Sequence, residues 1–321
     1  MSVRVAIRTV WHPHQKLSNW QLTRFLQRHV RPRPLARFVE SLLILTDSVL
    51  LLGRTRRRRS RRDVGSAPAA ATQNGTGRPS VLYIDCGVHK HAEQVQWMQR
   101  WFGQRYDLHV LAFEAGGEHA RDAAQALNGM EHLRLHQIAL VGPLHDGDVA
   151  RLYKDSSSGK ADSLLRDGGE RFEDVPARRL SAVLADEGWD LSRTPTILRM
   201  NIEGAEQFVI EDLVEAGLAG CIDGYYGMWD DLSKIDPDAD ERFQRLLAEQ
   251  GISTVTFNDR DLAGAGEGGL GFSPRALPTA LRRLAFRLRR GAIRRDIESA
   301  YAAGVARVAG GGSAPPPPPG A

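Results

Sequence analysis

The chain has 321 residues, 42% of them hydrophobic, and a formal net charge of +4. It is long and apolar enough for one large or two small domains with a sizeable core, which excludes a disordered or fibrous protein. The charge is unevenly spread: residues 1–62 carry 15 basic and 2 acidic side chains, residues 63–274 carry 19 and 35, and residues 275–321 carry 9 and 2. An acidic centre between two basic arms argues against nucleic acid as the partner of the chain as a whole. Cys86 and Cys221 are the only cysteines; they make no disulfide framework and fit a reducing compartment. The first residues mix Arg, His and Pro without the apolar core of a signal peptide, so the expected location is cytoplasmic.

In chain order, residues 1–62 form a basic extension holding an apolar run over 38–52, interrupted by Glu40 and Asp47 and followed by the arginine block Arg54 to Arg62. The run is shorter than the roughly 20 apolar residues of a membrane span. Two readings stay open: a helix docked on the folded domain with Leu42, Leu45, Val49 and Leu52 inward, or a helix on an anionic membrane surface, where each nearby arginine contributes about 1 kcal/mol. Residues 63–80, rich in Ala, Gly, Ser, Thr and Pro, read as a linker. Residues 81–274 form the folded domain. Its pattern alternates strand 81–85, helix 92–102, strand 109–114, helix 118–128 and strand 133–140. A polar, Gly- and Ser-rich stretch over 142–169 follows, with a strand at 149–153, then helix 177–187, strand 196–200, helix 206–216, strand 220–228, helix 239–250 and strand 253–258. Such alternation predicts an α/β protein with a doubly wound parallel sheet of seven strands, helices on both faces, and helical N- and C-terminal extensions. Over 275–310, Leu281, Leu284, Ala285, Leu288 and Ala292 recur at helical spacing among arginines. That basic amphipathic helix either packs on the acidic centre or meets lipid or nucleic acid. Residues 311–321, with Pro315 to Pro319, read as a disordered polyproline tail.

Three short segments after apolar strands carry the chemistry: Tyr83-Ile84-Asp85-Cys86-Gly87, Leu111-Ala112-Phe113-Glu114, and Leu198 to Glu206 with the run Glu203-Gly204-Ala205-Glu206. In an open α/β sheet ligands collect at the carboxyl ends of the strands, and an acidic residue ending the second strand is placed to accept hydrogen bonds from ribose hydroxyls. Glu114 holds that place.

Order and spacing of these segments resemble the FkbM family of S-adenosylmethionine-dependent methyltransferases, whose motifs read Asp-x-Gly-Ala-Asn-x-Gly, Phe-Glu-Pro and Lys-Ile-Asp-x-Glu-Gly-x-Glu. The resemblance runs from about residue 81 to 231. Val88, His89 and His91 stand where the family has Ala, Asn and Gly, and Asn201 where it has Asp. The resemblance implies a Rossmann-like seven-stranded methyltransferase sheet, S-adenosylmethionine as cofactor, and O-methylation of a small-molecule, sugar or lipid-linked glycan acceptor. It further implies that Asp85, Gly87 and Glu114 bind the donor. Glu203 and Glu206 would be catalytic, positioning the acceptor or taking a proton from its hydroxyl. Glu206 has an equal reading as the first residue of a helix, where its charge favours the dipole. Tyr225, Tyr226, Trp229 and Asp230 either line the acceptor pocket or belong to the core. No metal is assigned, because the His89-x-His91 pair has no third ligand set by spacing. The alternative to catalysis is a methyltransferase-like scaffold or membrane-surface tether that acts through its basic arms.

Overall fold

The computed structural model describes residues 33–60, 80–154, 162–165, 171–229, 232–257 and 277–310. The linker expected before Ser80, the polyproline tail and Asp230 lie outside them. Two compact units are present: residues 33–60 with 277–296, and residues 80–257 with 297–310.

In the second unit, β1 (Ser80–Cys86), β2 (Asp107–Phe113), β3 (Leu133–His136), β7 (Thr196–Met200), β8 (Gly224–Gly227) and β9 (Thr254–Thr256) form one parallel sheet in the order β3-β2-β1-β7-β8-β9. Counted along the chain, this is the order 3-2-1-4-5-6 of a Rossmann-like fold. Buried on both faces, β1 and β7 are near-continuous apolar runs, as central parallel strands must be.

The strands are linked by α2 (Glu93–Trp101), α3 (Gly117–Ala126), α4 (Leu180–Asp186), α5 (Glu206–Glu215) and α7 (Pro237–Glu249), with the single turn α6 (Leu232–Ile235) before α7. Right-handed crossovers that lead first one way and then the other across the sheet put helices on both faces. Leu82, Ile84, Cys86, Leu111, Phe113, Leu198 and Met200 alternate along their strands and share one apolar cluster with Leu184 of α4, Leu213 of α5 and Phe243 of α7. The helix expected over 239–250 begins two residues earlier, because the Asp236 carboxylate accepts the Ala239 N–H at 2.9 Å and Pro237 occupies the first turn.

The central sheet holds six strands among the described residues, where seven were expected. The strand at 149–153 exists as β5 (Val149–Tyr153), but it lies in a separate three-stranded sheet with β4 (Ala139–Leu140) and β6 (Phe172–Arg178), in the order β4-β6-β5. Its side chains alternate between exposed and buried, which suits an antiparallel pairing with one wet face and not a position inside a parallel sheet. The expected strand 133–140 splits for the same reason: its first half pairs with β2 and its last two residues with β6. Sequence reading missed β6 because Phe-Glu-Asp-Val-Pro-Ala-Arg contains few strand-forming residues, and cross-strand pairing decides its state.

The first unit contains α1 (Arg33–Ser60) and the first part of α8 (Leu277–Ala309). Its faces differ from the docked-helix expectation. Leu42 and Val49 are exposed, whereas Glu40, Ser41, Ser48, Leu51 and Thr55 are buried. The Thr55 hydroxyl donates to the carbonyl of Leu51 at 2.9 Å and reaches the Asp296 carboxylate of α8 at 3.4 Å. On α8, Ala285 and Ala292 are buried beside Phe286 and Ile293 in sequence, while Leu284 and Leu288 are exposed. Among the described residues no helix is long and apolar enough to cross a membrane.

The end of α8 belongs to the second unit. There Tyr301 packs on Phe102 and Tyr106 with ring centroids 5.6 and 4.3 Å away. The Arg307 guanidinium binds both Asp223 oxygens, at 3.1 and 3.0 Å, and the carbonyls of Leu191, Ser192, Thr194 and Cys221.

Candidate functional site

The strand order reverses between β1 and β7, so their connections leave in opposite directions and the carboxyl edge there is where a doubly wound sheet takes its ligand. The loops that follow these two strands touch. Asn201 N–H donates to the Cys86 carbonyl at 2.9 Å. Gly87 has φ +86°, and a Cβ on it would lie 2.2 Å from the Asn201 carbonyl oxygen. Glycine is required there twice, by its left-handed backbone and by the close approach.

Asp85 is fully buried. Its carboxylate accepts the Tyr83 hydroxyl at 2.9 Å and the Arg199 guanidinium at 2.7 Å. Asp85 and Arg199 are register partners on adjacent strands, and Arg199 is 1% exposed. A second bond from Arg199, 3.0 Å to the carbonyl of Gly87, ties the pair to the turn. Burial, followed by the Asp85 charge, pushes the Tyr83 hydroxyl well above its ordinary pKa. The Cys86 thiol is raised by burial in the same way, which keeps it protonated and inert. Asp85 therefore shapes the turn from below instead of presenting a carboxylate to solvent. Sequence reading passed over Arg199. The available signal was one charge inside a five-residue strand that is otherwise apolar apart from Thr196, which demands a buried partner on a neighbouring strand.

Glu114 follows β2 and holds the same turn from the other side. One of its oxygens accepts His89 N–H at 2.9 Å and the other Gly116 N–H at 3.0 Å. The N–H groups of Gly87 and Val88 both point at the Phe113 carbonyl, at 2.9 and 3.1 Å. Burial raises the Glu114 pKa, against the lowering by the Gly116 and His89 N–H groups and by nearby His119 and Lys154. Lys154, at the end of β5, bridges Glu173 at 2.8 Å and Asp162 at 3.1 Å. Burial lowers its pKa, but the hydrogen bonds to those two carboxylates outweigh this and raise it. The smaller sheet thus brings charge to the edge of the larger one.

After β7 the chain turns through two left-handed residues, Glu203 at φ +54° and Gly204 at φ +100°. The Glu203 carbonyl accepts the Ser163 hydroxyl at 2.9 Å, and its side chain is half-buried. Glu206 is 3% exposed, and its two oxygens accept the N–H groups of Ile202 and Gly204, both at 2.8 Å. It closes the loop at the start of α5. His89 and Ala92 also have positive φ, so three of the four described non-glycine residues in this region of backbone space lie in the loops after β1 and β7. Each costs on the order of 1–3 kcal/mol, and such strain concentrates at functional sites.

His89 faces His119 with ring centroids 4.6 Å apart and His91 at 6.2 Å, and His91 is exposed. The structure brings Gly87, His89, Glu114 and, through Lys154, the end of β5 together; Glu203 and Glu206 share the loop whose first residue, Asn201, touches Gly87. Tyr225, Tyr226 and Trp229 are buried. Tyr225 donates to the Ala219 carbonyl at 2.7 Å, and Trp229 stacks on Phe243, so both belong to the core.

The fold and the meeting of these loops define an α/β protein with a six-stranded parallel sheet of Rossmann-like order. Compared with protein-family models, curated proteins and solved structures, the chain gives no match.

Proposed function

We propose that the chain is an S-adenosylmethionine-dependent methyltransferase that transfers a methyl group to a hydroxyl of a small molecule, sugar or lipid-linked glycan. The observation that carries the reading is Glu114, a half-buried carboxylate directly after β2 and bonded to the backbone of the turn after β1, at the point where the strand order reverses. Each carboxylate oxygen has two lone pairs, and each here uses one on an N–H group, so acceptor capacity remains for a ribose diol.

The residues fit the donor unequally. Glu114 and the Gly87 turn would hold it. Asp85 acts through Arg199 on the shape of that turn, since its own carboxylate is fully buried. Once bound, the donor supplies an electrophilic methyl group, so the protein's main work is to align acceptor and donor. Glu203 is the residue for the acceptor hydroxyl because its side chain is half-buried at the turn after β7, whereas Glu206 is 3% exposed and closes the loop from within. Glu203 would take the hydroxyl proton as the oxygen attacks the methyl carbon, whose bond to sulfur breaks to leave the neutral thioether S-adenosylhomocysteine, while Glu206 keeps the Glu203 backbone in its left-handed conformation.

One observation favours a second reading, a non-catalytic methyltransferase-like scaffold: the N–H groups of Gly87, Val88 and His89 all have protein acceptors. Calorimetry with S-adenosylmethionine and S-adenosylhomocysteine separates the two. Saturable binding of both, weakened about tenfold or more by Glu114→Ala through loss of charge-assisted hydrogen bonds, supports the enzyme. No binding by folded protein supports the scaffold, and unchanged affinity in Glu114→Ala removes its ribose role.

A further inference from the structure

In the first unit, α1 buries mainly polar side chains. Of its three described acidic residues, Glu40 and Asp296 are 3% and 0% exposed and Asp47 is half-buried. Ser41, Ser48 and Thr55 follow one another at seven-residue intervals on the buried side of α1. At 100° per residue the opposite side carries Phe38, Val39, Leu42, Thr46, Val49, Leu50 and Gly53, with no charge among them. Phe38, Leu42, Val49 and Leu50 are exposed, the last two at 66% each, along about 18 Å of helix. On α8 the exposed side holds Leu284 and Leu288, with the arginines Arg287 and Arg295. The arginine run that ends at Arg62 begins at Arg54, where the apolar stripe stops.

We propose that this apolar face of α1, with the exposed leucines and arginines of α8, docks on a membrane surface containing anionic lipid. An amphipathic helix that lies in the interface needs an uncharged apolar stripe to enter the acyl boundary and cations beside it to meet the headgroups. Both are present, and two of the three acidic groups that would repel lipid phosphate, Glu40 and Asp296, are buried. A second copy of the chain fits less well, because a symmetric contact would set arginine against arginine. Nucleic acid would use the arginines and leave the apolar stripe in water. The proposal is independent of the methyltransferase reading.

Flotation of the full-length protein with vesicles tests it. Vesicles of equal parts phosphatidylcholine and phosphatidylserine should carry the protein up, and vesicles of phosphatidylcholine alone should not. The double variant Val49→Glu, Leu50→Glu changes two exposed side chains and should weaken partitioning about tenfold or more. Arg287→Gln with Arg295→Gln should weaken it about fivefold for each arginine removed. Circular dichroism of each variant confirms folding, and Leu284→Gln with Leu288→Gln is a second pair should the first fail to fold. Each of these results overturns the proposal: no flotation with the anionic vesicles; flotation unchanged in the folded glutamate variant; a dimer in sedimentation that this variant dissociates; or flotation seen only after residues 1–32 are deleted, which would show that they occupy the face. Binding to DNA without binding to vesicles also overturns it.

Discussion

Replacing Arg199 by Met keeps most of the side-chain length and removes the cation bonded to the buried Asp85 carboxylate. Among the described residues, Asp85 would then retain only the Tyr83 hydroxyl as a hydrogen-bond partner. Removing one member of a buried ion pair costs about 3–5 kcal/mol, because the remaining charge stays desolvated. The lost bond to the Gly87 carbonyl adds about 1 kcal/mol. Against a domain stability of about 5–15 kcal/mol this is a large loss, and for a domain of this size it corresponds to a fall in Tm of about 10 °C or more. Urea unfolding followed by circular dichroism measures it directly. The double variant Asp85→Asn, Arg199→Met removes both charges and leaves an amide oxygen to accept from Tyr83, so it should regain at least half of the lost stability. A cost below about 1 kcal/mol for Arg199→Met, or two losses that simply add in the double variant, would refute the account of the turn as held by this pair.

Arg307→Lys should destabilise the second unit by about 2–4 kcal/mol in the same assay, since a three-donor ammonium cannot serve two Asp223 oxygens and four carbonyls at once. Gly87→Ala should cost about 3 kcal/mol or more and weaken donor binding, because the added methyl would strike the Asn201 carbonyl at a left-handed position; a variant as stable as the parent would show that the two loops separate easily. His136 has its pKa lowered by burial, partly offset by Glu187, so the unfolded chain takes its proton first and stability falls as pH drops through about 6.5 towards the folded-state value. In His136→Phe, whose ring can still stack on Phe113, urea midpoints between pH 7 and 5 should fall less steeply than in the parent.

The central architecture was legible in the chain. Strands such as β1 and β7 are mostly apolar because a parallel strand with a helix layer on each face has no wet side, and the alternation of such runs with helical periods carries that information locally. Glu114 and Gly87 could be picked out for the same reason: a strand end and the turn after it are adjacent in sequence. The smaller sheet was not legible. Its β6 has charged and proline residues and was missed, and although the strand at 149–153 was expected, only its antiparallel pairing with β6 sets it apart from the central sheet.

Two further properties were decided by tertiary structure alone. The role of Asp85 depends on Arg199, 114 residues away, and only the register of β1 on β7 sets their charges side by side. The orientation of α1 is the clearest case. Sequence periodicity identifies a helix with an apolar stripe, and from that stripe one would turn Leu42 and Val49 inward. Which side is buried is a property of what packs against the helix, and here Ser41, Ser48, Thr55 and Glu40 take that side with Leu51, while Phe38, Leu42, Val49 and Leu50 are exposed. Local pattern determines that an amphipathic face exists; the partner surface determines which way it points.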